Sequence, residues 1–215
     1  MSGMRSRNVL FAVWIAVTFV ACSLLRRHDA ETLPEVKLVA VLPLERDETP
    51  RQGALAGGES ERPPLAADAE KVVTAQVYAV LAESPRWRFV PDLTVEQALH
   101  GVSGSGSNEE RARMLAEAVH AEGVFYGSVW RLREREGSEY GSRHPASVAF
   151  RLALYSVASG RTVWRGEFDQ TQEPLSSNLL NWWQFWRAGP RWFTAAELAR
   201  LGIEKLIGQL ESRLK

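Results

Sequence analysis

Cysteine is all but missing from this chain. Cys22 is the only one in 215 residues, so no internal disulfide can staple the fold and stability has to come from an apolar core. Histidine is scarce as well. His28, His100, His120 and His144 fall in a linker, a helix end, a helix and a loop, without metal-ligand spacing and without a free thiol to complete a site. No metal and no cofactor is expected. Neither sign of charge is in excess, with 26 basic and 26 acidic residues. Residues 1–21 hold two arginines and no acids, so the remainder carries 24 basic and 26 acidic groups, a formal charge of −2. That balance leaves no electrostatic case for nucleic acid.

Patterns that carry catalysis are also missing. Ser103, Ser105 and Ser107 lie in a glycine-bearing stretch without the strand-to-helix elbow of a hydrolase nucleophile. The same stretch, Gly101–Asn108, follows no strand, lacks the lysine of a P-loop and places Glu109 and Glu110 where an anion would sit. It reads as a connector ending in an Asn108 helix cap. Asp92, Glu167, Asp169 and Glu173 cannot be paired as acid and base from the sequence alone. A non-enzymatic protein is expected.

No apolar run reaches the ~20 residues that span a bilayer as a helix. What stands at the start is shorter: 13 mostly apolar residues, Val9–Ala21, behind Arg5 and Arg7 and ending at Cys22. That matches the ~7–15-residue core of an export signal behind its basic region, so residues 1–21 read as a signal peptide and the rest as translocated. Phe19-Val20-Ala21-Cys22 resembles the lipobox of bacterial lipoproteins, where the small residue admits the signal peptidase and the thiol receives a diacylglycerol. The resemblance implies lipidation at Cys22, with fatty acyl groups such as palmitate, although that family usually has leucine where Phe19 stands. The alternative is an uncleaved anchor running on through Leu24 and Leu25, 17 mostly apolar residues from Val9. Arg26 and Arg27 oppose it by competing with Arg5 and Arg7 for the cytoplasmic side. Several acyl chains, each gaining ~0.8 kcal/mol per buried methylene, hold a protein on a membrane more firmly than one. Ser23, where an inner-membrane retention signal would have aspartate, resembles the outer-membrane sorting pattern. The expected location is the periplasmic face of the outer membrane.

Residues 22–35 then read as a solvated tether, reaching at most about 45 Å when extended. Its Arg26 and Arg27 either favour anionic headgroups or only mark the end of the signal. From residue 36 to 215 a single α+β domain is expected. Val36–Leu44 is nearly continuous in apolar character, as suits a strand covered on both faces, and Pro43 should end its pairing. Residues 45–64, with three prolines and many charges, read as a mobile loop. Val72, Val73, Gln76, Val77, Val80 and Leu81 share one face of a helix over 66–83, which Pro85 stops. A short strand follows at Trp87–Val90. Thr94 and Gln97 suggest a capping box for a helix through Leu99, and Ala112, Leu115, Ala116 and Val119 mark a buried face for a helix over 109–121.

The second half reads as a β-meander. Strands are expected at 123–133, 147–157 and 162–168, with an exposed loop at 134–145 and a hairpin at Ala158–Arg161. Alternation of Val148, Phe150, Leu152 and Leu154 with Ala149, Arg151, Ala153 and Tyr155 predicts a sheet with one dry face. Thr194 and Glu197 fit a capping box opening a final helix, whose stripe is Leu198, Leu201, Leu206, Ile207, Leu210 and Leu214. The sum is an α+β fold with a mixed sheet of about five strands, a C-terminal β-meander and flanking helices.

That element order, with Ala118–Val129 and the hairpin Leu154–Trp164, resembles the anticodon-binding-like domain of a bacterial lipoprotein and periplasmic group: the TolB amino-terminal domain, CsgG and LpoB. The resemblance covers about residues 35–170 and the last helix. It implies the fold and an envelope setting. Three departures narrow the role: no propeller repeats follow the domain, no strands are left over to line a pore, and the tether is shorter than an LpoB-like stalk.

One stretch stands apart chemically. Leu179–Phe193 carries four of the eight tryptophans within 11 residues, outside any strand period. Trp182, Trp183, Phe185, Trp186, Arg187, Arg191 and Trp192 either plug the end of the sheet under the final helix or form a partner-facing or membrane-facing surface, since Trp and Arg are favoured at binding hot spots. The expected function is a lipid-anchored accessory or interaction subunit in envelope assembly or transport, with an envelope protein as partner. The alternative is a periplasmic carrier holding an apolar ligand or lipid between this segment and the sheet.

Overall fold

A computed structural model describes residues 36–48, 65–101, 106–138, 141–172 and 192–214, all within the unit Pro34–Lys215. The signal peptide, Cys22, the tether, most of the 45–64 loop and most of the aromatic segment lie outside the described residues. The described chain forms β1 (Leu38–Val41), β2 (Glu45–Arg46), α1 (Ala69–Glu83), β3 (Arg88–Phe89), α2 (Asp92–Leu99), α3 (Asn108–Val119), β4 (Gly123–Arg133), β5 (Glu136–Ser138), β6 (Gly141–His144), β7 (Ser147–Ser156), β8 (Arg161–Thr171) and α4 (Ala195–Arg213).

The main sheet runs β3-β1-β4-β7-β8, with β2 added alongside β4. It is mixed, as expected: β3 pairs with β1, and β1 and β2 pair with β4, in parallel, while β4, β7 and β8 form an antiparallel meander. Pro43 does not end the pairing. Val41 lies opposite Phe125, and the ladder resumes with Glu45 opposite Ser128 and Arg46 opposite Val129. A proline removes one donor, while Leu42 N–H still reaches the Phe125 carbonyl at 2.8 Å and Asp47 N–H the Val129 carbonyl at 2.9 Å. The expected loop therefore starts two residues late. Arg46 also fastens the chain to the start of α1, donating to the Leu65 and Ala66 carbonyls and to Glu70.

Helices cover both faces of β7, which shows no exposed apolar-polar alternation, whereas β8 keeps it, with Trp164 and Phe168 buried and Arg165, Glu167 and Asp169 exposed. Of β7, only Arg151 is exposed; Ala149, Ala153 and Tyr155 are as buried as Val148, Phe150, Leu152 and Leu154. The reason is position: β7 lies between β4 and β8, with α3 over one face and α4 over the other. On the first face Ala112, Leu115, Ala116 and Val95 pack with Val124, Tyr126, Ala153 and Tyr155. On the second, Gly202 of α4 comes so close to Phe168 that a Cβ there would meet the ring at 2.6 Å. Phe168 in turn packs on Phe150, ring centroids 5.5 Å apart.

Several helix boundaries differ by a residue or three from the sequence pattern. Helix α1 starts at Ala69 behind Asp68, whose side chain makes no cap. Helix α2 starts at Asp92 behind Pro91, and Thr94 lies inside it, its N–H bonded to the Pro91 carbonyl; the Thr94–Gln97 capping box is therefore not formed. The cap of α3 is Ser107, accepting from Glu110 N–H, rather than Asn108. That helix stops at Val119 because His120 turns left-handed at φ 53°, where Ala121 N–H closes back on Ala116 at 3.0 Å. The Thr194–Glu197 capping box is present with both bonds. Leu201 departs from the expected stripe of α4 and is exposed, Ala199, Gly202 and Ile203 being buried instead. The 134–145 loop is itself a small hairpin, β5 with β6, where Glu136 holds His144 at 2.8 Å.

Candidate interaction surface

The described parts of the aromatic segment are its last two rings. Phe193 is buried and Trp192 half-buried, and both are tied down through their backbones. Phe193 N–H donates to Gln172 Oε1 at 2.7 Å, the Trp192 carbonyl accepts from Arg135 Nη1, and Ala195 N–H donates to Glu134 Oε2 at 3.1 Å. Gln172, itself buried, donates its own N–H to the Ala146 carbonyl at 3.0 Å. The residue where β8 ends and the residue where the chain returns to enter α4 are therefore hydrogen-bonded neighbours. Between them lie residues 173–192, of which 173–191, carrying Trp182, Trp183, Phe185, Trp186, Arg187 and Arg191, are outside the described residues.

Strand directions fix which end of the sheet this is. Val39 pairs in parallel with Gly123 at the start of β4, and Ser156, the last residue of β7, lies opposite Gly123. Val36, where the described domain begins, thus sits at the β4 start. Ser147 lies opposite Arg133 and Thr171, so Gln172, Glu134 and Arg135 sit at the other end, roughly 30 Å away at ~3.3 Å per strand residue. Helix α4 runs back along the sheet. It starts beside Glu134 and ends where Leu214 accepts from Arg86 Nη2 at 3.1 Å and Glu211 from Trp87 Nε1 at 2.8 Å.

The polar residues singled out from the sequence are not brought together among the described residues; His28, Ser103, Ser105 and Glu173 lie outside them. Glu167 pairs with Arg151 at 2.7 Å and Asp169 with Arg131 across the meander. Asp92 Oδ1 accepts from Leu93 N–H at 2.9 Å at the start of α2. His100 ends α2, His120 ends α3 and His144 is on β6. Among the described residues no group of three or more His, Cys, Asp or Glu side chains could hold a metal ion, and no helix is long and apolar enough to cross a membrane.

Among the described residues three ionisable groups are shifted: Arg200, Tyr78 and Glu122. Arg200 is raised, chiefly by its hydrogen bond to Glu83. Burial pushes the Tyr78 hydroxyl up to about 12, with Asp92 and Glu96 adding to the effect; the hydroxyl donates to the Val41 carbonyl at 3.3 Å. Glu122 is held below the usual carboxylate range because its Oε2 accepts from Lys37 N–H at 2.7 Å and Leu38 N–H at 3.2 Å. It clips the first strand at the Val36 end. Neither role was visible from the sequence, nor were those of Gln172, Glu134 and Arg135, because each depends on partners far along the chain.

No family model and no curated protein matches the chain. Solved structures with a similar fold include the hypothetical protein CT253 of Chlamydia trachomatis, at 13% identity and TM-score 0.46 over 83% of this chain and 98% of that one. The lipoprotein GNA1162 of Neisseria meningitidis is at 17% identity and TM-score 0.44 over 83% and 99%. The C-terminal domain of LpoB from Salmonella enterica is at 18% identity and TM-score 0.41 over 66% and 87%. LpoB is one of the proteins the sequence resembles; nothing in these structures supports CsgG or an anticodon-binding-like domain. At such identities they are a likeness in fold and assign no role to this chain.

Proposed function

We propose that this protein is a lipid-anchored, non-enzymatic accessory subunit of the bacterial outer membrane, presenting the segment 179–193 to a protein partner in envelope assembly or transport. The observation that supports this is the separation of the two ends. The chain enters the domain at Val36, on the side where the tether from Cys22 would arrive, while the feet of the aromatic segment, Gln172 and Phe193, are bonded together at the opposite end. A tether at one end and a tryptophan- and arginine-rich excursion at the other suit a body that faces away from its own anchor. Trp and Arg supply large contact area and charge-assisted hydrogen bonds, which is why they dominate binding hot spots.

Replacing Trp182, Trp183 and Trp186 together by alanine, then comparing thermal melting with crosslinking in intact cells, tests the proposal. An unchanged melt with loss of the crosslinked partner is expected. An unfolded domain would instead assign the rings to the core, and lipid co-purifying with the wild type but not the variant would favour the carrier.

A further inference from the structure

Strand β8 closes one side of the main sheet, with β7 as its neighbour and no strand beyond it among the described residues. At 11 residues it is a long edge, whereas the opposite edge, β3, has only 2. The register fixes which of its backbone groups face outward. Gln172 N–H reaches the Ala146 carbonyl at 3.0 Å, so Gln170, Phe168, Gly166 and Trp164 bond to β7, opposite Val148, Phe150, Leu152 and Leu154. Arg165, Glu167, Asp169 and Thr171 therefore turn both N–H and carbonyl away from β7, and among the described residues none of these N–H groups has a backbone partner. Nearer its start the edge is closed. The register shifts between Leu154 and Tyr155, and Thr162 N–H donates to Glu109 Oε1 at 3.0 Å.

Sheet edges are commonly blunted by a proline, a lysine, a short strand or a bulge. From Trp164 to Thr171 β8 has no proline, no lysine and no register shift. It has charges, and they select how it can pair. Arg165, Glu167 and Asp169 are exposed and share one face of the strand. If β8 pairs with β8 of a second copy, antiparallel about a two-fold axis, outward-facing residues must lie opposite one another. An axis at Glu167 would oppose two glutamates, one at Phe168 would oppose Glu167 and Asp169, and one at Arg165 two arginines. With the axis at Gly166, Arg165 of each copy lies opposite Glu167 of the other. Opposite charges directly across a strand pair stabilise it and like charges destabilise it. Both side chains also have partners in their own copy, Arg165 with Glu109 at 3.6 Å and Glu167 with Arg151 at 2.7 Å. They remain 62% and 47% exposed, and a guanidinium has five N–H donors and a carboxylate about four acceptor sites.

We propose that this protein self-associates by antiparallel pairing of β8 with β8 of a second copy, about a two-fold axis at Gly166, so that the sheet continues from one copy into the next. A second copy is favoured over an extended segment of another protein because the charges along this edge are complementary to themselves. Gly166 on the axis falls at a non-hydrogen-bonded pair, where the two backbones approach to ~4.5 Å between Cα atoms, and Arg165 and Glu167 on either side exchange the backbone hydrogen bonds. The inference rests on the described sheet and holds whether or not Cys22 carries lipid.

The test uses residues 22–215 carrying Cys22→Ser, which leaves no native thiol. Sedimentation velocity over a range of concentrations reads the association, with melting curves as the fold control. A monomer–dimer equilibrium is expected, weakened about tenfold by Glu167→Lys, which sets two pairs of cations opposite each other, and restored when Arg165→Glu is added to it. The register is read by oxidising a mixture of two single variants, Arg165→Cys and Glu167→Cys. Paired residues whose Cα atoms lie ~5.5 Å apart suit a disulfide, so the mixture should give at least fivefold more covalent dimer than either variant alone. A chain that stays monomeric at every concentration overturns the proposal, as does a dimer that neither responds to the charge reversals nor gives the mixed crosslink. A monomer that pairs through β8 with another protein, and loses that protein in Glu167→Lys, gives the edge to a different partner and equally overturns it.

Discussion

Gln172 and Phe193, separated by 20 residues of chain, are joined by a 2.7 Å hydrogen bond from the Phe193 N–H to the Gln172 side-chain oxygen. Both residues are buried, so the bond is what closes the base of the aromatic excursion. Gln172→Ala leaves the Phe193 N–H without that acceptor, and the expected loss is about 1–3 kcal/mol of unfolding free energy, read as a lower urea midpoint. A variant as stable as wild type would mean that the excursion is not fastened there.

Two glycines of α4 predict opposite outcomes for the same substitution. Alanine is favoured over glycine inside a helix by about 1 kcal/mol, and at Gly208 nothing lies within 4 Å of an added Cβ, so Gly208→Ala should stabilise by up to that amount. At Gly202 the added Cβ meets Phe168 at 2.6 Å. Phe168 is wedged against Phe150 and cannot withdraw, so overpacking costs of about 1–3 kcal/mol outweigh the propensity gain. Denaturant melts of the two variants check the sign of each.

Alkaline pH should expose Tyr78. Its folded-state pKa, about 12, lies above that of an ordinary tyrosine, so the native chain keeps its proton while the unfolded chain loses it. The associated stability is present below the ordinary tyrosine value and is lost as pH rises from there through the folded value. Tyr78→Phe should remove that part of the alkaline loss, and absorbance titration of the wild type should show one tyrosine ionising late.

Acid should act through Glu122, with the opposite sign. Its folded-state pKa is depressed by the Lys37 and Leu38 N–H groups, so its contribution is present above the ordinary glutamate value and lost as pH falls through the folded one. The carboxylate is exposed, and solvent screening keeps the effect small. Urea midpoints of wild type and Glu122→Gln should differ at neutral pH and converge in acid.

The fold was legible where one period dominates over many residues. β4 begins at Gly123 and ends at Arg133 as its pattern indicates, and the Thr194–Glu197 box opens α4 at the expected residue. Legibility failed where tertiary contacts override a local signal. Ala153 and Tyr155 look outward by alternation but are covered by α3, and the sequence does not say that a helix will lie there. Thr94 and Gln97 have cap chemistry, yet Pro91 and Asp92 start α2 earlier because a proline with fixed φ just before the first turn is already preorganised for it. Of the aromatic segment, Trp192 and Phe193 are described and are held through their backbones, while Trp182, Trp183, Phe185, Trp186, Arg187 and Arg191 lie outside the described residues.

The proposed function rests on attachment to the membrane through Cys22. Metabolic labelling with radioactive palmitate tests it directly. Label in the wild-type protein that disappears in Cys22→Ser is the predicted result; a wild type that takes up no label, or a Cys22→Ser variant that takes up as much, would contradict it.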